Sequence, residues 1–165
     1  MSVASVLGGA LMCAAGAAQG ALPDLKNMHD AEVMQNACKP AEQRRLQREA
    51  AALAGSEAPA QAARLVREVL CGTTPQSRAY VMAHTAAKVA STDEATGDTE
   101  PARPRMLPAR SVQPAQMRAW SATVEQGDVG IRVVFYPDEG ACIQSFSMAC
   151  RRSEWKITAI SQACD

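Results

Sequence analysis

The stretch that decides the fold is Arg118 to Asp165, RAWSATVEQGDVGIRVVFYPDEGACIQSFSMACRRSEWKITAISQACD. Turn-forming residues at 126–128 and 137–140 and a polar break at 151–154 divide it into four segments. Apolar residues alternate with polar ones in each segment, which is the period of a half-buried strand. The stretch is therefore predicted to form a four-stranded antiparallel meander. Its apolar face would carry Trp120, Ala122, Val124, Val129, Ile131, Val133, Phe135, Cys142, Phe146, Met148, Cys150, Trp155, Ile157 and Ala159.

The turns also fix a register, and a wrong register would move apolar residues to the polar face. A tight loop after Pro137 sets Phe135 opposite Cys142, and the polar break sets Cys150 opposite Trp155. The apolar faces of all four strands then coincide. A single sheet of this size cannot offset the backbone entropy of folding, about 1–2 kcal/mol per residue. We expect helices from the preceding part of the chain to cover it.

Residues 21–90 show the spacing of amphipathic helices. We predict a short first helix over residues 25–37, a second over 41–54 and a third that begins at Pro59 and ends at Gly72. Thr74 and Pro75 suit the N-cap and first turn of a fourth helix, predicted to run to about Ala90. The fold class is thus α+β, with N-terminal helices packed on one face of the C-terminal meander.

Two further segments differ in composition from the helices and the meander. Residues 1–20 are uncharged and end in small residues, which resembles a secretory signal peptide that lacks a basic start. A retained membrane anchor and an ordinary helix are the alternatives. Residues 91–116 combine acidic residues with repeated proline, which predicts a flexible linker between the helical segment 21–90 and the meander 117–165.

The spacing of the cysteines indicates a protein of an oxidising compartment. No two of them form a C-x-x-C pair, and His29 and His84 lie far from them in sequence, so a zinc site is not expected. Disulfides are the alternative in an exported protein. Cys38 and Cys71 end two predicted helices and could be bridged. The register sets Cys142 opposite Ala163, so a bridge from Cys142 to Cys164 requires a β-bulge. Cys150 is left as a core thiol beside Trp155, or as a partner for another cysteine.

The sequence carries no motif of a named chemistry. It has no phosphate-binding loop, dinucleotide fingerprint, nucleophile elbow or zinc-hydrolase helix, so no catalytic, cofactor-binding or metal-binding residue is assigned and a non-enzyme is favoured. The 17 basic side chains balance 17 acidic ones, which gives no reason to expect nucleic acid as a partner.

The outer face of the meander is the best candidate for a contact surface. It is more apolar than a solvated sheet face requires. Its residues are Arg132, Val134, Tyr136, Ile143, Lys156 and Ile160. On the inner face Gln144 is the one polar residue, and a buried amide needs a hydrogen-bonding partner. A pocket between sheet and helices around Gln144 would supply one.

Helices followed by a meander that closes on the strand Trp155-Lys156-Ile157-Thr158 loosely resemble cystatin-like and NTF2-like folds. The resemblance covers about the final third of the chain and carries no functional residue across. The leading hypothesis is a periplasmic or secreted protein that binds another envelope protein as an inhibitor, immunity factor or accessory subunit. The alternatives are an NTF2-like module with a ligand or catalytic pocket, and a structural protein that is membrane-bound if residues 1–20 are retained.

Overall fold

The computed structural model describes residues 36–95, 104–115, 119–137 and 142–164. Three helices come first: α1 (Pro40–Ala54), α2 (Pro59–Cys71) and α3 (Pro75–Ala83). Six strands follow: β1 (Thr85–Ala95), β2 (Arg105–Pro108), β3 (Ala119–Gly127), β4 (Gly130–Pro137), β5 (Cys142–Arg151) and β6 (Glu154–Cys164). The signal peptide and first helix predicted from the sequence lie outside these residues, as does His29.

The strands form one mixed sheet in the order β2-β1-β6-β5-β4-β3. The predicted meander is its second half, since β3 to β6 pair antiparallel with their neighbours in sequence. The α+β class is confirmed, but the prediction of four strands is wrong. The sheet gains β1, which runs parallel to β6, and β2, which pairs antiparallel with β1.

All three helices begin with proline, whose missing N–H is tolerated in a first turn. The side chain of Thr74 accepts a hydrogen bond from the Ser77 N–H, as predicted for an N-cap. The face of α2 that packs toward the sheet is apolar and buried throughout. Its members are Ala62, Leu65, Val66, Val69 and Leu70. On α1 Leu46 and Ala50 are buried, but Leu53 is exposed and Ala54 takes its place in the core.

The helices cover one face of the sheet, which we call the inner face, and polar contacts fix their position there. Arg45 on α1 bridges Glu42 and Glu49, and its guanidinium also donates to the Ala122 carbonyl of β3 at 3.0 Å. The backbone N–H of Trp155 on β6 donates to Gln61 Oε1 on α2 at 2.9 Å. The long side chain of Arg45 thus joins helix to sheet, while its neighbours Arg44 and Arg48 remain exposed.

The fourth predicted helix is too long. It ends at Ala83, and Thr85 begins β1. The Ile157 N–H donates to the His84 carbonyl at 2.9 Å, so the chain joins β6 directly after the helix. The segment 85–90 mixes alanine with β-branched residues, so its composition suits a helix or a strand. Pairing with β6 favours the strand, because Val89 is then fully buried.

The segment predicted as a flexible linker is partly built into the sheet. It includes the end of β1, all of β2 and a 3-10 turn at Ala109–Ser111. Val112 is buried, and the Ala115 N–H donates to the Val69 carbonyl on α2 at 2.7 Å. Composition predicted a linker because the segment is polar and proline-rich. Its few apolar residues and its backbone hydrogen bonds are enough to order it against an existing core.

The register between the last three strands differs from the prediction in two places. Phe135 lies opposite Gln144, and Ile131 lies opposite Met148, which is two residues from the predicted pairing. A shift of two preserves the inner face. Between β5 and β6, Cys150 pairs with Trp155 and Met148 with Ile157 as predicted, but an extra residue in β6 then sets Phe146 opposite Ile160.

This β-bulge has two consequences. Cys142 now lies opposite Cys164, which is the offset that the sequence required for a disulfide. Ile160 turns to the inner face and packs against the core, so its placement on the outer contact surface was wrong. The physical reason is the period of two: one added residue exchanges the faces of everything after it.

A second bulge lies in β3. Ala119 pairs with Pro137 and Ser121 with Tyr136, so Trp120 is the extra residue. Its side chain is 37% exposed, whereas Ala119 and Ala122 on either side are buried. The prediction that Trp120 faces the core was therefore wrong. Val129 was also wrongly placed: it lies in the turn before β4 and is 72% exposed.

Glu68 is the one carboxylate among the described residues that is buried, and it lies near the end of α2. Burial by itself would raise the pKa of this carboxyl. Hydrogen bonds from Arg67 and Ser77 and the charges of Arg67 and Arg64 outweigh that effect, so the pKa of Glu68 lies below its ordinary value of 4.5. The ionised form therefore favours the folded state, in which it joins α2 to the start of α3.

We predict that Glu68→Gln destabilises the protein near neutral pH and that this cost diminishes in acid. A lowered folded-state pKa contributes stability above the unfolded-state pKa, and that contribution is lost as the pH falls through the folded value. Urea unfolding of both proteins at pH 7 and at about pH 3 measures the difference. A cost that is the same at both pH values would contradict the role assigned to the charge.

Candidate functional site

The candidate site is the outer face of the sheet, against which none of the described helices packs. Its residues come from alternate positions of β1, β6, β5 and β4, with contributions from the edge strand β3. The two bulges change its composition from the sequence-based prediction, because Ile160 leaves it and Trp120 becomes exposed beside it. Three regions follow one another along the strands.

The first region is an apolar end. Tyr136 on β4 is 42% exposed, and Ile143 on β5 is 37% exposed. The register that pairs Phe135 with Gln144 continues to place Tyr136 beside Ile143. Trp120, in the bulge opposite Tyr136, adds a second aromatic side chain. We call these three residues the apolar end. Exposed aromatic side chains that lie together are typical of protein-binding surfaces.

The middle region is a trough of about 380 Å³ whose floor is rich in hydroxyl groups. Ser145 is buried, and its Oγ lies 2.7 Å from that of Ser161 on the neighbouring strand. Thr92, Ser147 and Thr158 also line the trough, and the ion pair of Arg132 with Glu125 (3.8 Å) borders it. Small hydroxyl side chains on adjacent strands leave a depression between larger neighbours, which the sequence pattern did not reveal.

The third region, here called the basic hollow, lies at the β5–β6 turn. It has a volume of about 610 Å³ and is lined by Lys88, Arg151, Arg152 and Lys156. Of the predicted contact residues, Lys156 belongs here, whereas Arg132, Val134, Tyr136 and Ile143 lie further along the same face. Lys88 was missed because its segment was predicted as helix. Nothing in the local sequence shows that β1 lies beside β6.

The inner face contains a separate cavity of about 240 Å³ beside α2 and the 3-10 turn. Phe135, Phe146 and Ile160 form its apolar wall, and Gln144 lies at its mouth. Gln144 is only partly buried, and its amide donates to Gln162 Oε1 at 3.4 Å. Gln144 thus lines a cavity on the inner face, and the hydrogen-bonding partner of its amide is another glutamine.

Both predicted disulfides are present. Cys38–Cys71 joins the start of α1 to the end of α2, and Cys142–Cys164 joins β5 to β6. The Gln162 amide donates to the Cys164 sulfur at 3.0 Å, so this bridge lies next to the mouth of the inner cavity. A bridge that closes a loop of this length contributes about 3 kcal/mol by restricting the unfolded chain.

Cys150 has a free thiol and packs partly buried against the core, on the strand position that pairs with Trp155. Burial raises the pKa of the Cys150 thiol, and a hydrogen bond to the Glu57 carboxylate raises it further. Both effects favour the protonated thiol over the thiolate, which is the nucleophilic form.

His84 is held by packing. Its ring stacks on Tyr80 with 4.0 Å between centroids, and the Arg64 guanidinium lies 4.0 Å from the centre of the Tyr80 ring. Within the described ranges no three His, Cys, Asp or Glu side chains come together as metal ligands would.

The sequence matches no protein-family model and no curated protein. One solved structure with a similar fold is that of a DUF4783 family protein from Bacteroides ovatus, at a TM-score of 0.41 and 12% identity over 67% of this chain and 98% of that chain. A likeness this distant carries no argument about function.

We predict one free thiol in a Cys13→Ser variant of the full chain, assayed in denaturant without reductant, and five after reduction. In the native state Cys150 should react at least about tenfold more slowly than in denaturant, since burial disfavours its thiolate. A thiol reagent read by absorbance and by mass measures both. Three or more thiols without reductant would contradict the two bridges.

Proposed function

We propose that this chain is an exported, disulfide-stabilised module that binds another protein of the envelope through the outer face of its sheet, as an inhibitor, immunity factor or accessory subunit. The observation that carries the proposal is the apolar end. Trp120, Tyr136 and Ile143 are exposed together on a face that no described helix covers. Burying three such side chains in a partner would contribute about 1.5–3 kcal/mol each.

The bulge in β3 supports a binding role for Trp120. An alternating strand would bury this indole in the core, where burial stabilises the fold. The extra residue instead leaves it exposed beside Tyr136. Bulges commonly re-aim a side chain at functional sites. Tryptophan and tyrosine are also enriched among the interface residues whose truncation to alanine weakens binding the most.

The two bridges support export. Disulfides persist in oxidising compartments such as the periplasm and the extracellular space. No helix in the described ranges is long and apolar enough to span a membrane. The signal peptide and the cystatin-like or NTF2-like character of the fold belong to the same proposal. The first is tested by the N-terminal mass of the exported protein.

We predict that a photo-crosslinking side chain at position 143 captures one defined envelope protein in cells, and that the same group at Arg48 on α1 does not. The capture should saturate with expression level and fall at least about tenfold in a Trp120→Ala/Tyr136→Ala background, because hot-spot aromatics each contribute about 2 kcal/mol or more. Crosslinked bands are identified by mass spectrometry. Equal capture from positions 143 and 48, or capture that survives the double substitution, would falsify the proposal.

A second candidate function is small-molecule binding in the inner cavity. An apolar wall with glutamine amides at its mouth suits a ring compound with one hydrogen-bonding group. We expect indole, used as a neutral probe, to shift the NMR signals of the Phe146 ring and the Gln144 and Gln162 amides. The filled variant Ser91→Phe should abolish these shifts. Absence of shifts up to millimolar indole would remove this candidate.

A further inference from the structure

We propose that the basic hollow receives a run of acidic side chains on the protein that binds the outer face. This inference rests on the proposed function and adds the chemistry of the partner. The partner would present an apolar group to Tyr136 and Ile143 and carboxylates to Lys88, Arg151 and Arg152.

The hollow gathers unpaired positive charge on an otherwise neutral protein. Three of its cationic side chains come from the end of β5, the β5–β6 turn and β6, and Lys88 comes from β1, which is distant in sequence. In the part of the chain that the structure describes, Lys88, Arg151 and Arg152 form no ion pair. Glu154 is the one carboxylate among the described lining residues, and it lies 3.4 Å from Lys156. Four cations and one carboxylate leave an excess of three positive charges for an external anion.

Small side chains create the space between these cations. Ala86, Ala87 and Ala149 line the same hollow, and Ala149 is buried between its larger neighbours. Lysine or arginine at these positions would fill the hollow, whereas alanine leaves room for carboxylate groups to approach the surrounding cations. Arginine binds carboxylates in a bidentate geometry, which favours a specific contact over diffuse attraction.

The turn that carries the arginines is held in an unusual conformation. Arg152 and Ser153 have φ of 54° and 62°, the left-handed region that a two-residue hairpin turn needs at both central positions. Asn-Gly is the preferred pair there, and arginine is an unfavourable choice for the backbone. The arginine therefore contributes through its side chain, which the rigid turn positions at the rim of the hollow.

The position of the hollow favours an acidic protein segment over a small anion. It lies on the same face as the apolar end: Ile143 is the second residue of β5 and Arg151 is its last. Eight residues of strand separate them by about 26 Å at about 3.3 Å per residue. The hydroxyl-lined trough lies between. A protein partner can span this length, whereas a phosphate ion would use one end and leave the rest of the face uncovered.

The test uses the full chain and a fluorescein-labelled hexaglutamate peptide, with binding measured by fluorescence anisotropy at low ionic strength. We expect Arg151→Gln/Arg152→Asn to weaken binding at least about tenfold, since asparagine tolerates the left-handed turn and only the charges are lost. The matched control is Arg44→Gln/Arg48→Gln, which removes two exposed charges from α1. It should change binding less than about twofold. Lys88→Gln tests the hollow without altering the turn.

Three outcomes would overturn the inference. The peptide could fail to bind the wild-type chain, the control could lose as much affinity as the turn variant, or inorganic phosphate could displace the peptide at equal concentration. The last result would assign the hollow to phosphate groups. If the peptide does not bind but crosslinking at position 143 is saturable, this inference is wrong and the proposed function stands. If the peptide binds but no such crosslinking occurs, the basic hollow remains a site for acidic segments and the proposed contact at the apolar end is wrong.

Discussion

The β-bulge in β6 determines which face of the sheet each later side chain of that strand occupies. Before it, Trp155 and Ile157 face the helices. After it, Ile160 does so, and Cys164 comes into line with Cys142. Without the bulge, β6 would place Ala159 on the inner face where Ile160 now lies. Cys142 would then lie opposite Ala163, and no disulfide could form between the paired positions. The same bulge also sets Ser161 beside Ser145 on the opposite face, so the core, the bridge and the trough on the outer face share one cause.

The covered and uncovered faces are therefore coupled. The helical layer is fixed to the inner face by apolar packing and by a few polar contacts that cross between the layers, among them those of Arg45 and Trp155. Each disulfide lies within one layer, so the contact between the layers is noncovalent. Because the strands are packed against the helices on the inner face, the spacing of the apolar and basic ends on the outer face is set by the same sheet, as a binding surface needs.

Much of the fold could be predicted from the sequence because turn residues and strict alternation are local signals. The meander, α2, the N-cap at Thr74 and both bridges followed from them. The strand β1 could not, because its alanines suit a helix equally well and its partner β6 lies far away in sequence. The two bulges could not be predicted from alternation either. The offset between Cys142 and Cys164 indicated the bulge in β6, but no sequence signal indicated the bulge in β3 that exposes Trp120. The basic hollow was missed for the same reason, since Lys88 reaches it only through the parallel pairing.

The place of β1 in the sheet has a consequence for the order of events during synthesis. β1 begins at residue 85, and its parallel neighbour β6 begins at residue 154. The strand that connects β1 to the rest of the sheet is therefore absent until almost all of the described chain has been made. Chains grow at about 5–20 residues per second, so the helices and β1 wait several seconds for the strand that completes their core. Long-range pairing of this kind delays folding. The helices and β1 therefore reach their folded arrangement only when synthesis of the described residues is nearly complete.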